Sequence, residues 1–180
     1  MPESEEAFAT MVTSQDYCCG AVVVAGSLNS VCSKKRDFIC MVTEDVAEED
    51  RKVLEGAGMK VIEVEKIPSP VPSGQEQWDQ CGFTKLNLWR QTQYKKIFYI
   101  DADCLVVESL DDVFDRETSF AAAPDTFPPD KFNAGVLFLK PSEEVFEKMK
   151  ESMGKLKSYD GGDTGFLNAF FPNWYAEGSE

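Results

Sequence analysis

The chain contains no histidine. That absence excludes Ser-His-Asp and Cys-His nucleophilic catalysis and leaves any metal site built within these residues to oxygen ligands. Paired C-x-x-C cysteines are missing as well. Cys18, Cys19, Cys32, Cys40, Cys81 and Cys104 follow no metal-ligand spacing and read as reduced thiols filling core and helix positions. No run reaches the roughly eighteen apolar residues of a transmembrane helix. The opening Met1-Pro2-Glu3-Ser4-Glu5-Glu6 is acidic where a secretory leader is basic, so a cytoplasmic protein without a membrane partner is expected. Basic residues are few: 18 Lys and Arg stand against 32 Asp and Glu, a net charge of -14. Nucleic acid is a poor partner for such a chain, because its phosphates demand a basic face. An acidic protein that binds a phosphorylated small molecule needs a local cation, either a metal or a well-placed lysine.

What is present is one domain's worth of sequence, 180 residues that are 43% hydrophobic and 12% aromatic, enough for a single sizeable core. The expected organisation is an acidic tail over 1–7, one domain over 8–175 and a short tail over 176–180. Strand and helix patterns alternate along it. Phe8 to Thr13 reads as a strand, followed by a helix with Ala21, Val24, Ala25 and Leu28 on one face. Arg36 to Thr43 is a second strand. A charged helix from Glu48 to Glu55 stops at Gly56-Ala57-Gly58 and yields to a strand from Met59 to Val64. This βαβαβ order predicts an α/β fold with a parallel sheet and helices on its faces. Pro68, Pro70, Pro72 and Ser73-Gly74 mark a loop. A helix is expected over Phe83 to Tyr94 with Lys85 in its first half, then strands ending at Asp101, through Phe120 to Ala123 and through Phe132 to Leu139. A further helix starts near Ser142, with Val145, Met149, Met153 and Leu156 on one face and Glu143 and Glu144 favouring its N-terminal dipole.

The most informative stretch is Ile97-Phe98-Tyr99-Ile100-Asp101-Ala102-Asp103-Cys104, an apolar run that delivers two carboxylates at its end. Two acids placed there repel and lose hydration, and a bound cation is one remedy. Oxygen ligands of this kind suit magnesium, manganese or calcium. In open α/β sheets, ligands collect outside the carboxyl ends of strands. A strand followed by an ordinary acidic turn fits the same residues. Asp160-Gly161-Gly162-Asp163-Thr164-Gly165 combines acids and glycines before the apolar helix Phe166 to Phe171, a pattern that suits close approach of a ligand and acceptance of sugar hydroxyls. Asp163 as a plain helix cap fits it too. Phe132-Asn133-Ala134-Gly135 puts an amide and a glycine at the start of an apolar strand, which turn chemistry also explains.

Together these segments, with Thr10 to Tyr17, Thr84-Lys85-Leu86 and Ala123-Pro124-Asp125, resemble glycosyltransferase family 8 and its glycogenin-like branch, over Phe8 to Trp174 and in the family's order. The resemblance implies a GT-A type fold, a mixed, mostly parallel sheet with helices on both faces. It implies a UDP-sugar donor, manganese (or magnesium) as cofactor, and transfer of a hexose, glucose first, with retention at the anomeric carbon. By position, Met11, Thr13, Ser14 and Tyr17 match the uridine-binding segment, Tyr17 stacking on uracil. Lys85 matches the lysine that contacts the diphosphate, Asp101 and Asp103 the metal-binding acids, and Ala102 the backbone near the ribose. Asn133, Ala134, Asp160, Asp163 and Thr164 match sugar-binding and reaction-centre positions, with Asp125 supporting the same side. Asp163, then Asp160, is the candidate carboxylate beside an oxocarbenium-like transition state.

The chain departs from the pattern at named positions: Ala134 where the branch has Ser, Ser14 where it has Asn, Thr164 where it has Gln. Family members continue past the counterpart of Trp174 into a His metal ligand and a Gly and Lys segment, so a weakened metal site is expected, and a degenerate member that binds UDP without turnover is an alternative. The acceptor is a glycan, a protein or a polyol, a galactinol-forming galactosyltransferase sharing the same motifs, and a homodimer is left open. Haloacid dehalogenase-like phosphatases also place Asp-x-Asp after an apolar strand, but they expect Thr two residues past the second Asp, where Leu105 stands here, and they use the first strand of their domain.

Overall fold

The computed structural model describes residues 4–71, 80–126 and 130–175. Pro72, Ser73, Gly74 and the tail over 176–180 lie outside the described residues. The chain divides into two compact units, one of Met1–Glu65 with Gln93–Glu117, the other of Lys66–Thr92 with Thr118–Glu180.

The first unit is a parallel sheet. Strands β1 (Glu6–Val12), β2 (Asp37–Val42), β3 (Lys60–Glu63) and β4 (Lys96–Ile100) lie in the order β3-β2-β1-β4. The register sets Val12 beside Val42, Val42 beside Glu63 and Ala9 beside Tyr99. Near-continuous apolar runs form these strands because both faces of a parallel sheet are covered. Helix α1 (Cys18–Val31) connects β1 to β2, and its buried Cys18, Ala21, Val24, Ala25 and Leu28 form the expected stripe. Helix α2 (Glu48–Gly56) carries Glu48, Glu49 and Asp50 in its first turn, where the dipole favours acids, and buries Leu54. Val12, Cys18, Ala21, Ala25, Cys40, Val42, Leu54, Met59 and Ala102 share one core. Burial pushes the Cys40 thiol up to about 12, with Cys18 adding, as expected of a packing residue rather than a reactive one.

A second cluster lies beneath this sheet's amino end. Phe8 meets Phe114 edge-on at 5.2 Å, and the Arg36 guanidinium lies 4.2 Å from the Phe114 ring centre. Arg36 also pairs with Glu6 at 2.8 Å and Asp111 at 2.7 Å. Burial raises the Asp111 pKa, but hydrogen bonds from the Ser33 backbone and hydroxyl, Arg36 and the Lys34 backbone outweigh it and hold the carboxyl well below its ordinary range.

The second unit pairs β5 (Phe120–Pro124) antiparallel with β6 (Phe132–Leu139), with an irregularity between Ala122 and Ala123. Pairing is thus mixed, mostly parallel. Helix α3 (Glu143–Ser152) is capped by Ser142, whose Oγ accepts from the Val145 N–H at 3.3 Å. Helix α4 (Asp163–Phe170) follows the glycine-rich loop. Aromatic rings fill this unit: Phe120 stacks on Phe171 at 4.0 Å and Trp89 lies 5.9 Å from Phe171. Among the described residues no helix is long and apolar enough to cross a membrane.

Glu6 and Ala7, expected in the acidic tail, belong to β1, and the helix expected over Phe166 to Phe171 already starts at Asp163. Two further elements differ from their sequence-based expectation. The segment expected as a helix over Phe83 to Tyr94 is a 3-10 helix over Thr84–Arg90. Every residue from Thr84 to Trp89 is buried, so it has no solvent face, and side chains take up its backbone carbonyls: Asn87 Nδ2 donates to Thr84 O at 2.9 Å and Gln91 Nε2 to Asn87 O at 3.1 Å. Helix α3 buries Phe146 and Met149 and ends at Ser152. Met153 turns extended and Leu156 is exposed, so the expected stripe stops halfway.

Candidate active site

The first unit's geometry concentrates on two strand ends. β1 has β2 on one side and β4 on the other, while the chain winds from β1 through β2 to β3 in one direction. That reversal is a topological switch point, and in open α/β sheets ligands collect beyond the carboxyl ends of the strands at such a point, here β1 and β4. Thr13 to Tyr17 leave β1 there, and Asp101 to Asp103 leave β4.

The carboxylates of that turn are held differently. Asp101 is half-buried, and the Tyr99 hydroxyl donates to its Oδ1 at 2.6 Å; alternation along the strand puts the two side chains on one face. Ala102 is buried and Asp103 exposed, and the Cys104 N–H closes the turn on Asp101 O at 3.2 Å. The turn lies directly against α1 at Gly20, where an added Cβ would overlap the Ala102 carbonyl oxygen. A glycine inside a helix ordinarily weakens it. Here it admits the backbone that positions both acids.

After β1, Ser14 is extended and its carbonyl accepts from Tyr17 N–H at 3.2 Å. Its Oγ is buried without a hydrogen-bond partner, as is Thr10 Oγ1. A buried unpaired hydroxyl costs roughly 1–3 kcal/mol, so a ligand that pairs it gains affinity. Met11 and Thr13 are half-buried, and the Tyr17 ring is 48% exposed. Burial, then the charges of Asp50 and Cys19, push the nearby Cys18 thiol up, the opposite of what a nucleophile needs.

Sugar-side candidates gather in the second unit as a closed ring. Lys85 Nζ lies 3.2 Å from Asp163 Oδ2 and donates to Ala134 O at 3.0 Å. The Ala134 N–H donates to Thr164 Oγ1 at 3.3 Å, and the Thr164 N–H donates to Asp163 Oδ1 at 2.8 Å. Lys85 and Asp163 are each 6% exposed, and a buried charge calls for a paired one. Asp160 organises the loop before α4: its Oδ1 accepts from Gly162 N–H at 2.8 Å and Gly165 N–H at 3.0 Å, with the Ser158 hydroxyl at 2.7 Å. Gly165 is required there, since a Cβ would overlap that carboxylate and the Ser158 hydroxyl. Asn133 is exposed and turns its Oδ1 to Gly135 N–H at 2.7 Å, and half-buried Asp125 accepts from Thr126 N–H at 2.7 Å.

Three residues that motif reading passes over shape these sites: Tyr99 on Asp101, Gly20 beneath Ala102, and Asn168. Asn168 is 4% exposed; its Oδ1 accepts from Phe132 N–H at 3.1 Å and its Nδ2 donates to Phe132 O at 2.8 Å and Thr164 O at 2.9 Å, joining β6 to α4. An amide inside Phe166-Leu167-Asn168-Ala169 was the available signal.

Among the described residues no three or more His, Cys, Asp and Glu gather as a metal cage. Asp101 and Asp103 nonetheless fit a hard divalent cation, which commonly takes one or two carboxylates and completes its shell with phosphate oxygens and water.

Comparison with known proteins agrees with this architecture. The model of "Glycosyl transferase family 8" matches residues 9–177. Glycogenin-1 of Homo sapiens is 37% identical over 175 residues, covering 95% of this chain and 49% of its own length. A putative UDP-glucuronate:xylan alpha-glucuronosyltransferase 3 of Arabidopsis thaliana is 34% identical, covering 95% of this chain and 27% of its own. The chain therefore spans about half the length, or less, of these curated relatives. The galactosyltransferase LgtC, solved with donor and acceptor sugar analogs, has the same fold at a TM-score of 0.70 and 21% identity, over 92% of this chain and 70% of that one. GlyE of Streptococcus pneumoniae TIGR4 does so at 0.68 and 22% identity, over 95% of this chain and 44% of that one. The chain is a member of glycosyltransferase family 8 with a GT-A type fold.

Proposed function

We propose that the chain carries the donor-handling machinery of a metal-dependent UDP-sugar hexosyltransferase that retains configuration at the anomeric carbon. The observation that carries this reading is the Asp101-Ala102-Asp103 turn, two carboxylates at the carboxyl end of β4 beside a switch point, one of them exposed. Asp101 and Asp103 would hold manganese or magnesium. When bound, such a cation offsets repulsion between carboxylates and a diphosphate and neutralises charge on departing UDP. Tyr17 offers an exposed ring to uracil, Ser14 a buried hydroxyl in want of a partner, Met11 and Thr13 the floor, and Ala102 a backbone approach to the ribose.

At the sugar, Asp163 stabilises positive charge developing at the anomeric carbon, Lys85 supplies a counter-charge for the diphosphate, and Asn133, Ala134, Thr164 and Asp125 orient hydroxyls. Asp160 holds the loop that carries Asp163. The sugar side favours a neutral hexose, glucose first, over a uronate. Asp125, Asp160 and Asp163 would repel a sugar carboxylate.

The test is to incubate the chain with UDP-glucose, UDP-galactose or UDP-glucuronate and manganese, with glycan and polyol acceptors, following UDP release and the anomeric configuration of products by NMR. Faster turnover of a neutral hexose with retention supports the reading. Inversion, or preference for the glucuronate, contradicts it. UDP binding without release from any donor would identify the degenerate alternative.

A further inference from the structure

Tyr99 is 1% exposed, and its hydroxyl donates to Asp101 Oδ1 at 2.6 Å. A phenylalanine of nearly the same volume would serve packing alone, whereas a buried phenol brings a polar atom that needs a partner. The partner here is the first carboxylate of the β4 turn. The ladder neighbour of Tyr99, Ala9 of β1, is also fully buried, so packing holds the ring and the hydroxyl is presented from a fixed position.

The two acids of the turn are therefore unequal ligands. Asp101 is held at its main chain, where its carbonyl accepts from the Cys104 N–H at 3.2 Å, and at its carboxylate by Tyr99. Asp103 is exposed, with the weak donor Cys104 Sγ at 3.9 Å from its Oδ1. A fixed ligand beside an adaptable one does not serve all hard cations alike. Magnesium demands near-ideal octahedral geometry at about 2.0–2.1 Å, and manganese shares its preference for an octahedral oxygen shell. Calcium takes about six to eight oxygens at about 2.3–2.6 Å in flexible geometry, and grips carboxylates through one or both oxygens. A phenol on Oδ1 competes for the lone pairs of that oxygen, which disfavours the two-oxygen grip. Fixing the carboxylate also favours the cation with the stricter geometry.

We propose that Tyr99 is a positioning residue for the cation site, its hydroxyl fixing Asp101 so that the turn prefers manganese and magnesium to calcium. This deepens the transferase reading above and rests on it. Removing the hydrogen-bonding partner of a metal-binding carboxylate typically costs about 10–100-fold in metal affinity.

The experiment follows free manganese by electron paramagnetic resonance as the wild-type chain and Tyr99→Phe take it up at saturating UDP, against a protein-free blank. Magnesium and calcium are then ranked by how well each displaces manganese, and thermal melts of both chains check folding. Tyr99→Phe should take up manganese about tenfold more weakly, with magnesium falling alongside and calcium moving by less than about threefold. The preference for the octahedral cations narrows accordingly. Asp101→Glu, which keeps the acid but carries it off the hydroxyl, should narrow the preference in the same direction. Manganese uptake by Tyr99→Phe equal to that of wild type removes the positioning role and leaves the transferase reading standing. So does an equal loss for all three cations, the result a merely structural hydroxyl would give, and so does an unchanged ranking in Asp101→Glu. A wild-type chain that takes up no manganese with UDP overturns the metal-dependent reading and the role of Tyr99 together.

Discussion

Asp163 and Asp103 are both acids on short motifs, yet Asp163 is 6% exposed with the Thr164 N–H on one oxygen and the Lys85 ammonium beside the other, whereas Asp103 stands in solvent at the end of a turn. The difference extends to their surroundings. In the second unit, Lys85, Ala134, Asp163 and Thr164 are joined in a ring of ion-pair and hydrogen-bond contacts. In the first, the Ser14 hydroxyl is buried without a partner and the Tyr17 ring is half in solvent. A sugar-handling group must be rigid before the reaction, because preorganised charge avoids reorganisation at the moment of transfer. A nucleotide and metal site can keep its polar groups open, because the ligand completes them.

Substitutions test that contrast. The largest expected effect is at Lys85, where Lys85→Met removes the ammonium from its ion pair with buried Asp163. Chemical denaturation should show a loss of about 3–5 kcal/mol, with part recovered in Lys85→Met/Asp163→Asn. A loss below about 0.5 kcal/mol would mean that the ring holds nothing together. Next is Gly20→Ala, which drives a methyl into the Ala102 carbonyl and should cost about 1–3 kcal/mol. It should also weaken manganese-dependent UDP binding in calorimetry, because Gly20 supports the turn that carries Asp101 and Asp103.

Asp111 asks whether burial, rather than membership of one unit, makes an acid behave as closed. Its folded pKa lies below the ordinary value, so its contribution is complete above about pH 4 and is lost as pH falls through the folded value. Asp111→Asn should lower stability by about 2 kcal/mol near neutrality, and the gap to wild type should narrow as melts are repeated below about pH 4. A constant gap across that range would contradict the assignment.

Much of the fold was legible because buried strands write themselves as apolar runs: β1, β2 and β4 lie within two residues of where Phe8, Phe38 and Ile97 suggest. The α1 stripe was legible for the same reason. The Thr84–Arg90 segment was not, since a helical period presumes a solvent face and this one has none. Helix α3 was overrun because Met153 and Leu156 continue its period where the backbone has already turned. At the site, motif order brought Asp101 and Asp103 forward, and Tyr99 could have been read from strand alternation. Gly20 against Ala102, and Lys85 against Ala134, join residues 82 and 49 apart along the chain. No local pattern encodes such pairs.

The smallest expected effect on stability is also the most direct test. Asp103→Asn changes an exposed side chain and should shift stability by less than about 0.5 kcal/mol. Calorimetric titration of UDP into wild type and this variant, with and without manganese, addresses the claim that the β4 turn is an open metal and nucleotide site. The account predicts UDP binding that requires the cation and falls at least about tenfold in Asp103→Asn while the melt is unchanged. Binding indifferent to manganese, or an Asp103→Asn variant that binds as wild type does, would contradict it.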